Sequence, residues 1–464
     1  MNSEKAEKQH QRMTKSNIRP LILRLAFPST VGMFVTALYS LVDALYVSEL
    51  GTLAGAAVGV TFAIQALIQA VGYTLGTGAG SLMSRSFGER RDQDAGSYAT
   101  VSFLISLVIG TLIMLCGLFF GGPIMRILGA SDSVYPYALS YSRYLFISAP
   151  FMCASFVLSL VLRAEGKAVY SAVGLTVGSV LNIILDPILI YRLGMGIAGA
   201  SLATLISQVV CLAVLLSAYL LGYSQIRLFH SFSVRQILRV GKITVAGLPS
   251  SFRQGLIALS TVLLNHAAVI WGDAAVAAIS VVSRIFLLSF SICLGIGQGL
   301  MPVAGYNYGF KKRERVFRAY RFSAILASLT MLVISIPLFL FASELIAVFR
   351  NDPEVIAIGT MALRAQSAVL VLHGVITCTI MLLQAIGKQF AAALLACARQ
   401  GLFFLPLIWW FPKGFGIQSI IYVQPLSDAL TFLFAIPFVI YIFKHLKEKT
   451  AKQTAGLLYG QSSD

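Results

Sequence analysis

Apolar stretches of about 20 residues recur along this chain from about residue 21 to about residue 443. Each is near the ~20 residues an α-helix needs to cross a ~30 Å hydrocarbon core. Few features narrow a fold so far. A backbone in lipid must satisfy its own polar groups, which leaves helices or closed barrels. A barrel would show alternating segments of ~10 residues, and none is visible. The composition agrees, with 11% charged residues and a mean hydropathy of +0.83; a soluble chain carries roughly 25% charged residues. The predicted fold class is an all-α integral membrane protein with about twelve transmembrane helices.

The net charge of +17 raises the question of a nucleic-acid partner. The placement of the charges argues against one. Basic residues gather at alternate helix ends: Lys15, Arg19 and Arg24; Arg85, Arg90 and Arg91; Arg163 and Lys167; Arg235, Arg239 and Lys242; Lys311, Lys312, Arg313 and Arg315; Lys388; Lys444, Lys447 and Lys449. The intervening turns hold Arg126, Arg192, Arg350 and Lys413. This is the positive-inside pattern, and it predicts that both termini are cytoplasmic. Residues 1–20 are polar, lack a cleavable apolar core and read as a flexible tail. The six cysteines form no CxxC or Cys/His cluster, so neither a disulfide framework nor a metal site is expected.

The chain repeats itself. At an offset of 221 residues "AFPS" (26–29) meets "GLPS" (247–250), Gly51 meets Gly272, Gly88 meets Gly309, Arg143 meets Arg364, and "LVLRAEGK" meets "MLLQAIGK". After one slip, Gly194 meets Gly414 at an offset of 220. Six crossings per half return each half to its starting side, so the halves are parallel repeats: two pseudo-symmetric six-helix bundles. The expected organisation is a tail at 1–20, a first lobe at 21–222, a linker at 223–242, a second lobe at 243–443 and a tail at 444–464. Such a pair suits alternating access, though a channel or a lipid flippase would also use it.

Acidic residues inside lipid are costly and usually functional. Of the 18 Asp and Glu, only Asp43, Asp186 and Asp428 fall well inside predicted helices. Asp43 lies ~12 Å from the turn near Gly51, and Asp186 and Thr204 each ~13 Å from the turn near Arg192–Gly196, at ~1.5 Å per residue. These three therefore share one depth in the first bundle. Asn182 precedes Asp186 by one turn, on the same face. Pro187 has no N–H, which frees the carbonyl of Ile183. Two carboxylates, an amide, a hydroxyl and a loose carbonyl suit a hard cation such as Na⁺, or a shared proton. The alternative is that Asn182–Asp186–Pro187 is only a hydrogen-bonded kink. The repeat sends Asp43 to Leu264, Asn182 to Phe403 and Thr204 to Gln424, so the second half carries no matching acids and reads as scaffold and cavity wall. Asp428 lies deeper, ~21 Å from its turn. Near Gln424 and Pro425 it reads as a structural hydrogen-bonding residue, with gating or substrate contact as the alternative. His266 and His373 read as isolated core or cavity residues. There is no GxxxxGK[ST] for ATP drive and no nucleophile–base constellation, so neither a nucleotide cofactor nor enzyme activity is expected.

Taken together, "LNIILDPILIY", "RAEGK", "GYNYG", "GLPSS" and "ARQGLFFLPL" resemble the MATE (multidrug and toxic compound extrusion) family, in its bacterial DinF-like and MepA-like branch, from about residue 20 to about residue 445. The resemblance implies twelve helices in two lobes in a bacterial plasma membrane. It also implies export of small amphipathic, often cationic compounds in exchange for H⁺ or Na⁺, with a first-lobe coupling site that matches Asp43, Asn182, Asp186 and Thr204. The expected assembly is a monomer. A lipid or lipid-linked sugar flippase is the rival, disfavoured because basic residues lie at helix ends rather than along a cavity.

Overall fold

The computed structural model describes residues 3–226, 228, 234–410 and 416–459. Lys413 and Gly414, and parts of the expected linker and C-terminal tail, lie outside the described residues. No strand occurs among the described residues. The elements are α1 (Ser3–Lys15), α2 (Ile18–Glu49), α3 (Thr52–Gly88), α4 (Asp92–Ile127), α5 (Tyr135–Ala164), α6 (Ala168–Pro187), α7 (Ile197–Leu220), α8 (Val240–Val269), α9 (Asp273–Gly309), α10 (Arg313–Leu340), α11 (Ala342–Phe349), α12 (Pro353–Leu370), α13 (Leu372–Ala385), α14 (Gln389–Cys397), α15 (Leu405–Trp410) and α16 (Gln418–Tyr459). Ten helical spans among the described residues are long and apolar enough to cross a bilayer. The pair α12 and α13, bent by 52°, supplies an eleventh. The 30-residue α8, which carries Lys242, Arg253 and His266, is not among these spans, so the described residues show ten to eleven of the predicted twelve.

The chain divides into two compact units. One holds Pro28–Met83 and Gln93–Ala258; the other holds Ser3–Phe27, Ser84–Asp92 and Leu259–Asp464. The units do not follow the two chain halves residue for residue, because α2, α3 and α8 each contribute to both. The first unit has an apolar core around Ile68, Leu145, Phe146 and Met152; the second has one around Ile279, Ile346, Leu363 and Phe404.

The 221-residue repeat is visible in the backbone itself. Arg90 and Lys311, one repeat apart, are the non-glycine residues with left-handed φ (60° and 58°). Each ends its helix the same way: Arg91 N–H donates to Ser86 O and Lys312 N–H to Asn307 O, both at 2.8 Å. Gly166 and Gly387 match equally well, with φ of 85° and 84°. There Lys167 N–H donates to Leu162 O and Lys388 N–H to Leu383 O, both at 2.8 Å. A left-handed residue just past a helix end lets the chain turn while satisfying the last carbonyls.

Helices in lipid pack by shape rather than by expulsion of water, so small residues mark close contacts. In the first unit a Cβ on Gly110 of α4 would lie 2.5 Å from Pro150 Cα and 2.9 Å from Ala149 O of α5. Backbone atoms cannot move aside as a side-chain tip can. Gly110→Ala is therefore expected to cost ~1–3 kcal/mol by overpacking, read as a lowered midpoint in thermal unfolding of the detergent-solubilised protein; an unchanged midpoint would show that the two helices can separate freely.

The N-terminal residues form a packed helix rather than a loose tail. Gln9, His10, Met13 and Thr14 of α1 are buried. At the opposite extreme of expectation, Glu165 sits in the short α5–α6 turn yet is fully buried. Its Oε2 accepts the Ser224 hydroxyl at 2.7 Å and its Oε1 accepts the Gln225 N–H. Burial pushes this carboxyl up to about 7, against the lowering effect of the two hydrogen bonds and of Lys167. An unfolded Glu loses its proton near ~4.3. Between those values the folded chain holds a proton that the unfolded chain has released, so stability falls as pH rises through that window. We expect the unfolding midpoint of the native protein to drop, relative to that of Glu165→Gln, as pH is raised from about 5 to about 8. A difference that stays constant with pH would show that Glu165 does not titrate there.

Candidate functional site

The predicted site residues in the first unit come from three helices. Asn182 and Asp186 occupy successive turns of α6 and are 1% and 0% exposed. Thr204 faces them from α7 and is buried. With the Asn182 amide oriented by its bonding partners, its NH₂ donates to Asp186 Oδ2 at 3.2 Å and its oxygen accepts the Thr204 N–H at 3.3 Å. The Thr204 hydroxyl donates to Ala200 O at 3.2 Å. Asn182 thus ties Asp186 to α7. Asp43 of α2 is within electrostatic reach of Asp186, and its Oδ1 is buried without a hydrogen-bond partner. A buried carboxylate oxygen left unpaired costs free energy unless a proton or cation meets it.

Pro187 is the last residue of α6, and its effect is local and defined. The helix continues past it as a π segment, Ile188–Arg192. Widening the helix shifts the hydrogen bonds, first by one residue, as Leu193 N–H reaches Ile188 O at 2.9 Å, and then by two, as Met195 N–H reaches Leu189 O at 3.1 Å. π segments of this kind often accompany functional sites.

Two tyrosines join the pair that the sequence reading did not single out. Tyr39 and Tyr141 are buried, and both sense the charges of Asp43 and Asp186. Tyr39 precedes Asp43 by one turn of α2, a spacing that the sequence does show; Tyr141 comes from α5 and had no such signal. One turn from the Asn182–Thr204 contact lies a small cavity of ≈ 20 Å³, lined by Thr36, Tyr39, Ser155, Ser179, Gln208 and Cys211 among others. Phe156 and Leu175 complete a largely apolar wall, with room for about one water beside the hydroxyls and the amide.

Asp428 lies in the second unit and has a different character. It is fully buried on α16. Arg399 Nε donates to Oδ1 at 2.6 Å, Gln424 Nε2 donates to Oδ1 at 3.1 Å, and Gln366 Nε2 donates to Oδ2 at 2.6 Å. His373 Nε2 stands 3.1 Å from Oδ2. The Arg399 guanidinium also lies over the rings of Phe286 and Phe290, at 4.7 and 5.6 Å. Asp428 is therefore half of a closed ion pair, and His373 is its neighbour rather than an isolated core residue. Arg399 begins a second π segment, Ala398–Phe404, near its start. Leu264, the repeat counterpart of Asp43, is buried in the apolar core of this unit.

A buried carboxylate bonded to an amide, with a second carboxylate in electrostatic reach, both on helices among the ten to eleven spans long and apolar enough to cross a bilayer, define a polytopic membrane protein with acidic residues inside its spans. Comparison with known proteins is consistent with that class. The MatE family model matches this chain twice, over residues 28–188 and 249–410, and the chain belongs to that family. The two matched segments start 221 residues apart (249 − 28), the offset of the internal repeat. The chain is similar to the multidrug export protein MepA of Staphylococcus saprophyticus, at 25% identity over 96% of this chain and 98% of that protein. It is similar at 25% to MepA of Staphylococcus haemolyticus, over 93% and 95%. Among solved structures it resembles a MATE protein in complex with MaL6, with a TM-score of 0.88 and 29% identity over 95% of this chain and 99% of the other. An outward-facing multidrug resistance MATE family transporter of the MOP superfamily matches with the same values.

The Asp428 pair makes a test of electrostatics in lipid. Removing one member of a buried ion pair strands the other, at a cost of ~3–5 kcal/mol. Asp428→Ala should therefore destabilise the second unit strongly, whereas Asp428→Leu combined with Arg399→Met should recover much of the loss. Thermal unfolding of the three proteins decides; equal midpoints for the single and double variants would mean that Arg399 finds another partner.

Proposed function

We propose that the chain is a secondary antiporter that exports small amphipathic, often cationic compounds from a bacterial cell in exchange for H⁺ or Na⁺. Asp43, Asn182, Asp186 and Thr204 take the coupling ion, and the two lobes alternate access to a shared path for cargo. The protein sits in the plasma membrane as a monomer with both termini cytoplasmic. The observation that carries this reading is the buried, unpaired Oδ1 of Asp43 within reach of Asp186 and the Asn182–Thr204 contact. A proton or a cation there would relieve the cost of that oxygen, and a site that changes its affinity between two conformations does work on the equilibrium between them. Relatives named as multidrug export proteins, alike over nearly their whole length, support the choice of cargo.

The test is ethidium efflux from proteoliposomes driven separately by a pH gradient and by a Na⁺ gradient. Asp43→Asn and Asp186→Asn should each lower the gradient-driven rate at least about tenfold, the scale of a lost charge contact of ~1.4 kcal/mol or more, while elution and helical content stay unchanged. Normal efflux by both variants would sink the proposal. Drive by the pH gradient alone would identify the ion as a proton; drive by Na⁺ would make Asn182 and Thr204 direct ligands.

A further inference from the structure

The segment that joins α1 to α2 carries a charge arrangement that the transport reading does not use. Its backbone is held from one side. Asn307 Nδ2 donates to Met13 O at 3.0 Å, Lys312 Nζ to Thr14 O at 3.2 Å and Arg315 Nη2 to Ser16 O at 2.7 Å. The His10 ring meets the Phe310 ring edge-on, with centroids 4.9 Å apart. These bonds satisfy the last carbonyls of α1, which a helix leaves free. The elbow is thus a fixed ledge against the α9–α10 turn, within one compact unit.

On that ledge positive charge outweighs acid, since Glu7, the carboxylate that senses Lys15, is itself paired with Arg90. Arg12, Lys15, Arg19 and Arg24 come from α1 and α2, and Lys312 and Arg315 from the neighbouring turn. The nearby acids are engaged elsewhere: Glu4 with Lys8, Glu7 with Arg90 and Glu314 with Arg318. Among the described residues no carboxylate forms an ion pair with Arg12, Lys15, Arg19, Arg24, Lys312 or Arg315. Arg12 is held below its ordinary value by burial and then by Arg24, and Lys312 by burial and then by Arg315 and Lys15. Like charges gathered this closely call for an anion, and guanidinium groups favour phosphate.

The residues below the charges say which phosphate. Arg19, Leu23 and Phe27 recur every fourth residue and so run down one side of α2, and Lys15 stands at the end of α1 just before it. Arg19 is exposed, Leu23 is 46% exposed and Phe27 is 72% exposed. Cations above an open apolar strip match a lipid: headgroup phosphate at the top, acyl chain beneath. A free phosphate or a nucleic acid has no use for the strip. Basic clusters beside a transmembrane helix are known to attract anionic lipid.

We propose that the α1–α2 elbow binds one anionic phospholipid, its phosphate held by Arg12, Lys15, Arg19 and Arg24 and an acyl chain lying on Leu23 and Phe27. The site is independent of the Asp43 centre and of what the protein transports.

Native mass spectrometry of the full chain in detergent, titrated with phosphatidylglycerol and with phosphatidylcholine of the same acyl chains, tests it. Phosphatidylglycerol should bind at least about tenfold more tightly, roughly the worth of one to two lysine or arginine contacts to an anionic headgroup. Arg12→Gln with Arg24→Gln should remove that preference, Arg12→Lys with Arg24→Lys should keep it, and Arg192→Gln should leave it untouched. Glycerol phosphate should compete poorly; competition equal to that of the intact lipid would replace a lipid site with a simple phosphate site and overturn the proposal. Equal binding of the two lipids would overturn it as well, as would a preference that survives the double Gln variant. Should the double variant misfold, salt titration of the native protein decides instead. Raising ionic strength from 0.1 M to 1 M shortens the screening length from ≈ 10 Å to 3 Å, so the preference must fall, and a salt-independent preference refutes the site.

Discussion

Hydrocarbon offers no partner to a polar group, and the π segments of this protein are answered by groups from within. Hydroxyls turn back on their own helices, as Thr36 does to Gly32 O and Ser106 to Phe103 O, each at 2.7 Å. Where α6 passes Pro187 the chain widens into a π segment that re-pairs its carbonyls further along. Where the second π segment opens at Ala398, hydroxyls from two other helices close it: Ser427 donates to Arg399 O, and Ser260 to Gln400 O at 3.3 Å. The helix breaks that a soluble protein would leave to water are here the places where side chains from distant helices must meet. That requirement brings the chemistry-bearing residues together.

Charge obeys the same constraint with two different solutions. In the second unit the carboxylate of Asp428 is neutralised by Arg399 and surrounded by donors. Nothing about it asks for an ion from outside. In the first unit Asp186 has a single amide partner from Asn182, and Asp43 keeps one oxygen unmet. A fully compensated cluster holds helices; an under-compensated one can take up and release a charge. The same residue type thus closes an ion pair in one unit and stays under-compensated in the other.

Depth, repeat and periodicity made much of this legible before any coordinates. Turn-to-residue distances placed Asp186 and Thr204 at one level, and the structure joins them through Asn182. The 221-residue offset anticipated the paired left-handed positions at Arg90 and Lys311, because a turn conformation is a local property that duplicates with the sequence. What escaped notice was non-local. Arg399 sits in an apolar-looking stretch, and its partner is 29 positions away. Tyr141 comes within electrostatic range of the carboxylates from α5, which no spacing within α2 or α6 could reveal. Glu165 looked like a solvated turn residue; it is buried because Ser224 and Gln225 fold over it from nearly sixty residues on. The N-terminal helix resembles a polar tail in composition, and bonds from the distant Asn307, Lys312 and Arg315 help make it part of the fold.

Where the two halves differ is as informative as where they agree. One repeat before Arg399 and Gln400 stand Gly178 and Ser179, and the slipped register sets Gln208 against Asp428. Gly178, Ser179 and Gln208 line the small cavity beside the Asn182–Thr204 contact. The position that a guanidinium–carboxylate pair fills in one half is therefore a small cavity with mixed polar and apolar walls in the other. A Cβ at residue 178 would already press on Cys211 at 2.8 Å, so no large side chain can enter there without moving α7. Duplication supplied the same helical frame twice. Filling one copy with a closed ion pair gives it rigidity, and the small residues of the other leave room for about one water near the Asn182–Thr204 contact.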